Sequence, residues 1–116
     1  MSDGTNSTVF VISSDKLGRG GKVLGRQLMA KFVQQLQTQS PKPRAILFYN
    51  AGIRLLANGS RCLDGLRSLE HEGTDLLACG TCIDHFRLRD QIAAGRITDM
   101  REIVGTMQAA AKVVTL

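Results

Sequence analysis

Two cysteines separated by two residues, Cys79 and Cys82, form the sequence pattern with the clearest chemical potential. They follow the apolar run 76–78, which is typical of the end of a buried strand, and a helix is predicted behind them. The unpaired N–H groups of a helix N-terminus favour negative charge, so a thiol at such a turn loses its proton more readily than a free cysteine. Because the thiolate is the nucleophilic form, the spacing predicts a reactive pair at a strand-to-helix turn.

Three other interpretations of the pair stay open on residues alone. Both cysteines could be small buried hydrophobic residues. A thioredoxin-like dithiol is the more specific alternative; against it, no Trp precedes the pair, the strand before it is the third rather than the first, and no proline follows it. A zinc site would need further ligands such as Cys62, His71 or His85, none of which has a second paired spacing. We therefore expect no metal and no cofactor.

Side chains from other parts of the chain could join the two thiols. His85 lies one helical turn after Cys82 and could raise its thiolate fraction, or it could be an ordinary surface histidine. Tyr49 and Asn50 end a predicted strand. They could donate hydrogen bonds to a persulfide or simply end the strand.

The glycine-rich turn at 18–22 does not have the spacing of a phosphate loop. A Walker loop would need glycine at Lys16 and Ser or Thr at Val23, and Val23 also breaks the dinucleotide-binding pattern. A helix N-terminus could still hold an anion there. We expect Lys16, Arg19 and Lys22 to form a positive rim beside the thiols.

Hydrophobic patterns of strand and helix alternate along the chain. Strands are predicted over 8–13, 44–50, 74–78, 96–98 and 112–116. Helices are predicted over 22–38, 60–72 with Ser60 as cap, 82–94, and from Asp99, with a short helical turn at 53–56. This order predicts an α/β three-layer sandwich, a mainly parallel five-stranded sheet with helices on both faces. The loops after the first three strands then meet at the carboxyl edge, where such sheets bind ligands.

Composition limits the class of protein. A chain of 116 residues, 43% of them hydrophobic, suits one globular domain over 8–116 behind a flexible tail over 1–7. No apolar run approaches 18 residues, and the first seven residues lack a signal peptide's basic and apolar regions. The odd number of cysteines, 3, argues against a disulfide framework. We expect a cytoplasmic protein without a membrane segment.

The net charge of +5 raises the question of nucleic acid. Lys and Arg are scattered, and 1 Tyr and 4 Phe provide no stacking signature. A basic surface or an acidic partner is the better interpretation.

Several spaced motifs carry a resemblance to a known family. These are the segments 14–20, 46–52 and 79–84, together with Leu24-Gly25 and Leu28-Met29. Over residues 9–113 they resemble the DsrE/DsrF-like family, and within it most closely the DsrE-like domain of the YedF-like, sulfurtransferase-like proteins associated with selenium metabolism. The segment 20–24 lacks the acidic residues usual in that family, and Arg87 stands where a glycine is usual.

The resemblance implies a flavodoxin-like sandwich and a homo-oligomer, trimer or hexamer, whose cysteine passes on sulfane sulfur as a persulfide. The family's reactive cysteine maps onto Cys79, and Cys82 matches the second cysteine of the YedF-like branch. Cys62 stands at the start of a predicted helix, where the family usually carries an ordinary apolar residue, which implies a structural role. Partners would be sulfur donor and acceptor proteins, including a TusA-like carrier as a separate chain. The resulting hypothesis is a sulfur relay; the alternatives are a dithiol redox protein and a non-catalytic oligomeric interaction module.

Overall fold

Strands and helices alternate through residues 7–116, the part of the chain that the computed structural model describes. The predicted tail therefore lies, apart from Ser7, outside the described residues. The strands are β1 (Thr8–Ile12), β2 (Ala45–Phe48), β3 (Asp75–Cys79), β4 (Arg96–Thr98) and β5 (Lys112–Thr115). The α-helices are α1 (Lys22–Leu36), α2 (Leu63–His71), α3 (Gly80–His85) and α4 (Met100–Ala109), with 3-10 helices at Asn50–Leu56 and Arg89–Gln91.

The strands form one parallel five-stranded sheet in the order β4-β3-β2-β1-β5. The chain steps in one direction from β1 to β4, and the last crossover returns it to the far side of β1. Ile12 pairs with Phe48, which in turn pairs with Ala78. The carboxyl ends of the first three strands are therefore level. The predicted α/β sandwich with a mainly parallel sheet is confirmed, and so is the gathering of these loops at one edge.

Alternation along each strand divides the core into two layers. Ile46 and Phe48 of β2 belong to the larger cluster, together with α1, α2, the first 3-10 helix and α3. Ala45 and Leu47 belong to the smaller cluster, which Ile103 of α4 covers. Right-handed crossovers explain this division, because four strands that step one way put their helices on one face and the returning crossover puts α4 on the other.

The predicted helix over 82–94 is wrong in its length, since α3 ends at His85. Arg87 follows the helix with a φ of 57°, in the left-handed region. Its N–H donates to the Asp84 carbonyl at 3.1 Å, and the Leu88 N–H donates to the Ile83 carbonyl at 3.0 Å. This is the Schellman arrangement, which normally has glycine at the position of Arg87. Because no glycine marks the end of α3, the sequence pattern predicts a helix that continues past His85.

The predicted caps differ in outcome. Asp99 caps α4, since its carboxylate accepts the Glu102 N–H at 3.0 Å, as the capping-box spacing predicts. Ser60 does not cap α2, which begins at Leu63; its hydroxyl accepts the Cys62 N–H at 3.1 Å within the preceding turn. The short serine side chain bonds to a backbone N–H in the turn before the helix, so α2 starts later than predicted.

Candidate functional site

Cys79 is the last residue of β3, and its side chain points toward α4. It packs in the smaller cluster with Leu47 and Ile103 and is only 3% exposed. The alternation of the strand dictates this direction, because Ala78 beside it belongs to the larger cluster. The thiol that the resemblance identifies as reactive is therefore buried against α4.

Cys82 lies in the first turn of α3 and is only partly buried. Its sulfur accepts a hydrogen bond from the backbone N–H of Asn50 at 3.0 Å. The structure thus brings the turn after β2 to the thiol motif after β3, as predicted for loops at one sheet edge. Cys82 is the thiol of the pair that faces an open space.

The local conformation of Asn50 aims this N–H at the sulfur. Asn50 begins a 3-10 helix with a φ of 52°, a left-handed conformation that asparagine tolerates better than most residues. The preceding Tyr49 N–H donates to the Ile12 carbonyl at 3.2 Å, which fixes the turn to the end of β1. On sequence alone, Tyr49 and Asn50 could either donate hydrogen bonds at the edge of the site or simply end the strand. The donor seen here is the backbone of Asn50, which residue type alone does not reveal.

The electrostatic setting of Cys82 differs from that predicted for a thiol at a helix terminus. Burial raises the pKa of Cys82, and the neighbouring Cys79 raises it further, while the Asn50 N–H lowers it. The net effect is a pKa above the ordinary cysteine value. The resting form is consequently a neutral thiol at neutral pH.

A cavity of about 320 Å³ opens in front of the Cys82 sulfur. We call it the thiol cavity; its lining residues are Tyr49, Asn50, Thr81, Cys82, His85, Phe86 and Met100. Of these, the sequence analysis missed Thr81, Phe86 and Met100. Phe86 lies four positions after Cys82, so helical spacing could have found it. Met100 comes from the start of α4, and only the topology brings it here.

The predicted positive rim is not at this cavity. Lys16, Arg19 and Lys22 are not among its lining residues, and the Lys16 ammonium instead pairs with Asp15 at 2.7 Å. The loop that carries them folds back on α1, where the Leu17 N–H donates to the Gly25 carbonyl at 3.0 Å. This loop passes so close to α1 that a Cβ on Gly25 would lie 2.8 Å from the Lys16 Cβ.

A different cation borders the thiol cavity. The guanidinium of Arg54 lies 4.5 Å from the centre of the Phe86 ring, a cation–π contact. The Phe86 ring also makes an edge-to-face contact with the His85 ring. Arg54 stands in the 3-10 helix after β2, where the sequence gave no sign of a functional position.

No metal-ligating cluster accompanies the cysteines within residues 7–116, where no three His, Cys, Asp or Glu side chains converge. All three cysteines are free thiols. Cys62 is 4% exposed at the start of α2, and burial raises its pKa. These features fit the predicted structural role of Cys62. No helix in the described range is long and apolar enough to cross a bilayer.

The fold is the DsrE-like α/β fold, as its solved neighbours show. The YchN protein of E. coli superposes with a TM-score of 0.71 at 14% identity, over 94% of this chain and 98% of that one. MTH1491 of Methanobacterium thermoautotrophicum, a protein of unknown function, superposes with a TM-score of 0.67 at 19% identity, over 94% and 97%.

BT1422 of Bacteroides thetaiotaomicron, a conserved protein of unknown function, has a TM-score of 0.60 at 13% identity, over 95% of both chains. No protein-family model and no curated protein sequence matches the chain. The likeness therefore defines the fold, and the chemistry of the site must be argued from its residues.

Proposed function

We propose that this protein is a sulfur relay, in which Cys82 carries sulfane sulfur as a persulfide and Cys79 is the second thiol. The supporting observation is the sulfur of Cys82, which opens into the thiol cavity and accepts the Asn50 N–H at 3.0 Å. The resemblance assigns the carrier role to Cys79, but that side chain is buried against α4. A nucleophile must meet its donor, and Cys82 is the thiol in the better position to do so.

Loading the carrier is a thiol–disulfide type of exchange. The Cys82 thiolate attacks the outer sulfur of a donor persulfide, the donor's S–S bond breaks, and the donor leaves as a thiolate. The Asn50 N–H stabilises the negative charge on Cys82 before attack. Because the resting thiol has a raised pKa, docking of the donor must supply a base or further hydrogen bonds to release the proton.

Unloading can follow two routes. In the first, an acceptor thiolate attacks the outer sulfur and regenerates Cys82 without net oxidation. In the second, the Cys79 thiolate attacks the inner sulfur, so that a Cys79–Cys82 disulfide forms and hydrosulfide departs. The two thiols are then oxidised by two electrons while the sulfane sulfur is reduced, and a cellular dithiol must reset the pair.

The partners predicted from the resemblance belong to this proposal. They are donor and acceptor proteins in the cytoplasm, a separate TusA-like carrier, and further copies of the chain in a trimer or hexamer. Met100 lines the thiol cavity and is 49% exposed, and Val104 one turn later is 47% exposed. Such apolar side chains beside a reactive group suit a surface that a partner covers. Selenium in place of sulfur would follow the same exchange steps.

Mass spectrometry after incubation with a persulfide donor tests the relay. We expect an adduct of about 32 Da, the mass of one sulfur atom, that maps to the Cys82 peptide. Cys82→Ser should abolish the adduct, and Cys62→Ser, which removes another thiol outside the cavity, should leave it unchanged. Adducts spread evenly over all thiols would contradict the proposal and favour an interaction module with incidental cysteines.

A dithiol redox protein is the second candidate, because the Cys79 thiol is close enough to Cys82 to raise its pKa. The same experiment separates it from the relay when it is carried out on Cys79→Ser, because in the native protein the internal release of sulfur also ends in the disulfide. A redox pair would lose about 2 Da, two hydrogen atoms, on disulfide formation and retain no sulfur adduct. In the relay, Cys79→Ser should prolong the life of the Cys82 adduct, because the internal route for its release is gone.

A further inference from the structure

A second cavity, of about 360 Å³, adjoins the thiol cavity and is lined by three arginines. Arg26 comes from α1, Arg54 from the 3-10 helix after β2, and Arg61 from the turn before α2. Arg54 separates the two cavities, since its guanidinium stacks on Phe86 of the thiol cavity. We call this space the arginine cavity. Three elements that are distant in sequence thus each contribute an arginine to the lining of the arginine cavity.

None of the three guanidinium groups forms an ion pair with a carboxylate within residues 7–116. The ion pairs of residues 7–116 engage Arg89 and Arg96 but none of the three arginines of this cavity. The one carboxylate in the lining is Asp15, which pairs with Lys16 at 2.7 Å and also attracts Arg54, so that a single carboxylate faces three arginines and a lysine. A surface that collects unpaired arginines around a concavity has positive potential inside it.

The walls of the arginine cavity are held in place before any ligand arrives. The Asn58 N–H donates to the Gln91 carbonyl at 2.8 Å, and the Asn58 side chain donates to the Gln91 side chain at 3.2 Å. Gly59 follows with a φ of 89°, which glycine adopts without strain. The Ser60 hydroxyl then accepts the Cys62 N–H. The turn that presents Arg61 is therefore fixed on both sides.

We propose that the arginine cavity binds the tetrahedral oxyanion, phosphate or sulfate, of a small molecule. Guanidinium groups present paired N–H donors in a planar fork that matches two oxygens of such an anion. Three of them around one space favour a dianion over a monocarboxylate. The cavity also exceeds the size of a single oxyanion, so that the remainder of the small molecule occupies the space along Leu55 and Leu88. The site contains neither Cys79 nor Cys82 and does not depend on the sulfur relay.

Isothermal titration at constant ionic strength tests the proposal with three probes: inorganic phosphate, inorganic sulfate and acetate. We expect saturable binding of at least one of the two tetrahedral anions and none of acetate; comparing the first two identifies the oxyanion. Arg26→Gln and Arg61→Gln should each weaken binding by about tenfold or more, since each removes a charge-assisted contact. Both residues are exposed, so the fold should tolerate the changes.

Arg101→Gln is the matched control, because Arg101 is an exposed arginine on α4, outside the cavity lining. It changes the net charge equally and should leave binding unchanged. Arg54→Lys keeps the charge but removes the planar fork, and should weaken binding. Equal losses for Arg101→Gln and Arg61→Gln, or titrations without saturation for both tetrahedral anions, would mean diffuse attraction to a basic surface and would overturn the proposal.

Discussion

The backbone N–H of Asn50 is the donor that meets the Cys82 sulfur, so this contact does not depend on the side chain at position 50. It depends on the left-handed conformation of Asn50, which the turn after β2 imposes. A backbone donor in a fixed turn pays little entropy when it stabilises a thiolate. The site therefore combines a preorganised donor with a thiol whose burial raises its pKa and favours the protonated form.

Cys79→Ala should lower the pKa of Cys82. The neighbouring thiol raises that pKa, and alanine removes its contribution while the Asn50 N–H, which lowers the pKa, remains. The measurement is the rate of alkylation of Cys82 by iodoacetamide against pH. The inflection should lie above the ordinary cysteine value in the native protein and at lower pH in the variant. Cys62→Ala is the control, and a shift of the same size there would contradict the stated cause.

At the residue scale, the sequence predicts the features that depend on neighbouring positions in the chain. The turn position of the thiols and the helical spacing of His85 involve neighbours in the chain, so the pattern predicts them. Which thiol faces the cavity depends on α4, whose Ile103 covers Cys79 from a distant part of the chain. The helix-terminus argument for a lowered pKa failed for the same reason, because burial is a tertiary effect.

At the scale of the elements, the site depends on how closely the turn after β2 approaches the end of β1. Gly52 lies in this turn, and its N–H donates to the Tyr49 carbonyl at 3.0 Å. A Cβ placed on Gly52 would overlap the carbonyl oxygen of Ile12. The Ile12 carbonyl belongs to the backbone of β1 and cannot move aside as a flexible side chain could. Only glycine therefore allows the turn to lie this close to β1. The motif from Tyr49 to Gly52 therefore has a steric reason as well as a chemical one.

Gly52→Ala should lower the free energy of unfolding by about 2 kcal/mol or more, because the methyl group must displace the end of β1. Gly105→Ala is the matched control: a Cβ there meets nothing within 4 Å. In the interior of α4 it should raise stability by about 0.5 to 1 kcal/mol through helix propensity. Urea denaturation measures both, and equal effects of the two substitutions would refute the steric argument.

The elements themselves show where pattern reading succeeds. Runs of apolar and β-branched residues predicted every strand to within two residues, and the 3.6-residue period predicted α1 and the start of α4. The end of α3 was missed because Arg87 adopts the conformation of a C-terminal glycine. The start of α2 was missed because Ser60 bonds within the turn rather than at the helix.

At the scale of the whole molecule, one arginine joins three elements on the side of α4. Arg96 of β4 donates to both oxygens of Asp75 in β3, at 3.1 and 3.0 Å, and to Glu102 of α4 at 3.0 Å. Glu102 also accepts from the Thr98 hydroxyl. α4 is the one helix on this face among the described residues, so this cluster supplements the few apolar contacts of Ile103.

The pH dependence of stability should reflect this cluster. Hydrogen bonds from Arg96, and then from Thr98, hold the pKa of Glu102 below its ordinary value. A carboxylate with a lowered folded-state pKa stabilises the protein above its unfolded-state pKa, and this contribution is lost as pH falls through the folded-state value. Glu102→Gln should therefore be less stable than the native protein at neutral pH and lose less stability on acidification. Urea unfolding from about pH 7 to about pH 3 measures the difference.

Glu70→Gln is the control for this comparison, since Glu70 is exposed and in none of the ion pairs described for residues 7–116. The free energy of unfolding of Glu70→Gln should fall with decreasing pH as it does in the native protein. Parallel curves for Glu102→Gln and the native protein would show that the Arg96 cluster does not contribute to acid sensitivity.

The returning crossover has a consequence for how the chain is made. β1 is synthesised early, yet one of its two neighbours, β5, pairs Lys112 with Thr8 and leaves the ribosome after the other elements of residues 7–116. Until then β1 presents a row of free amide and carbonyl groups, a template on which nascent chains aggregate. Translation that stalls before β5 should thus yield insoluble product, even though the thiol motif is already complete.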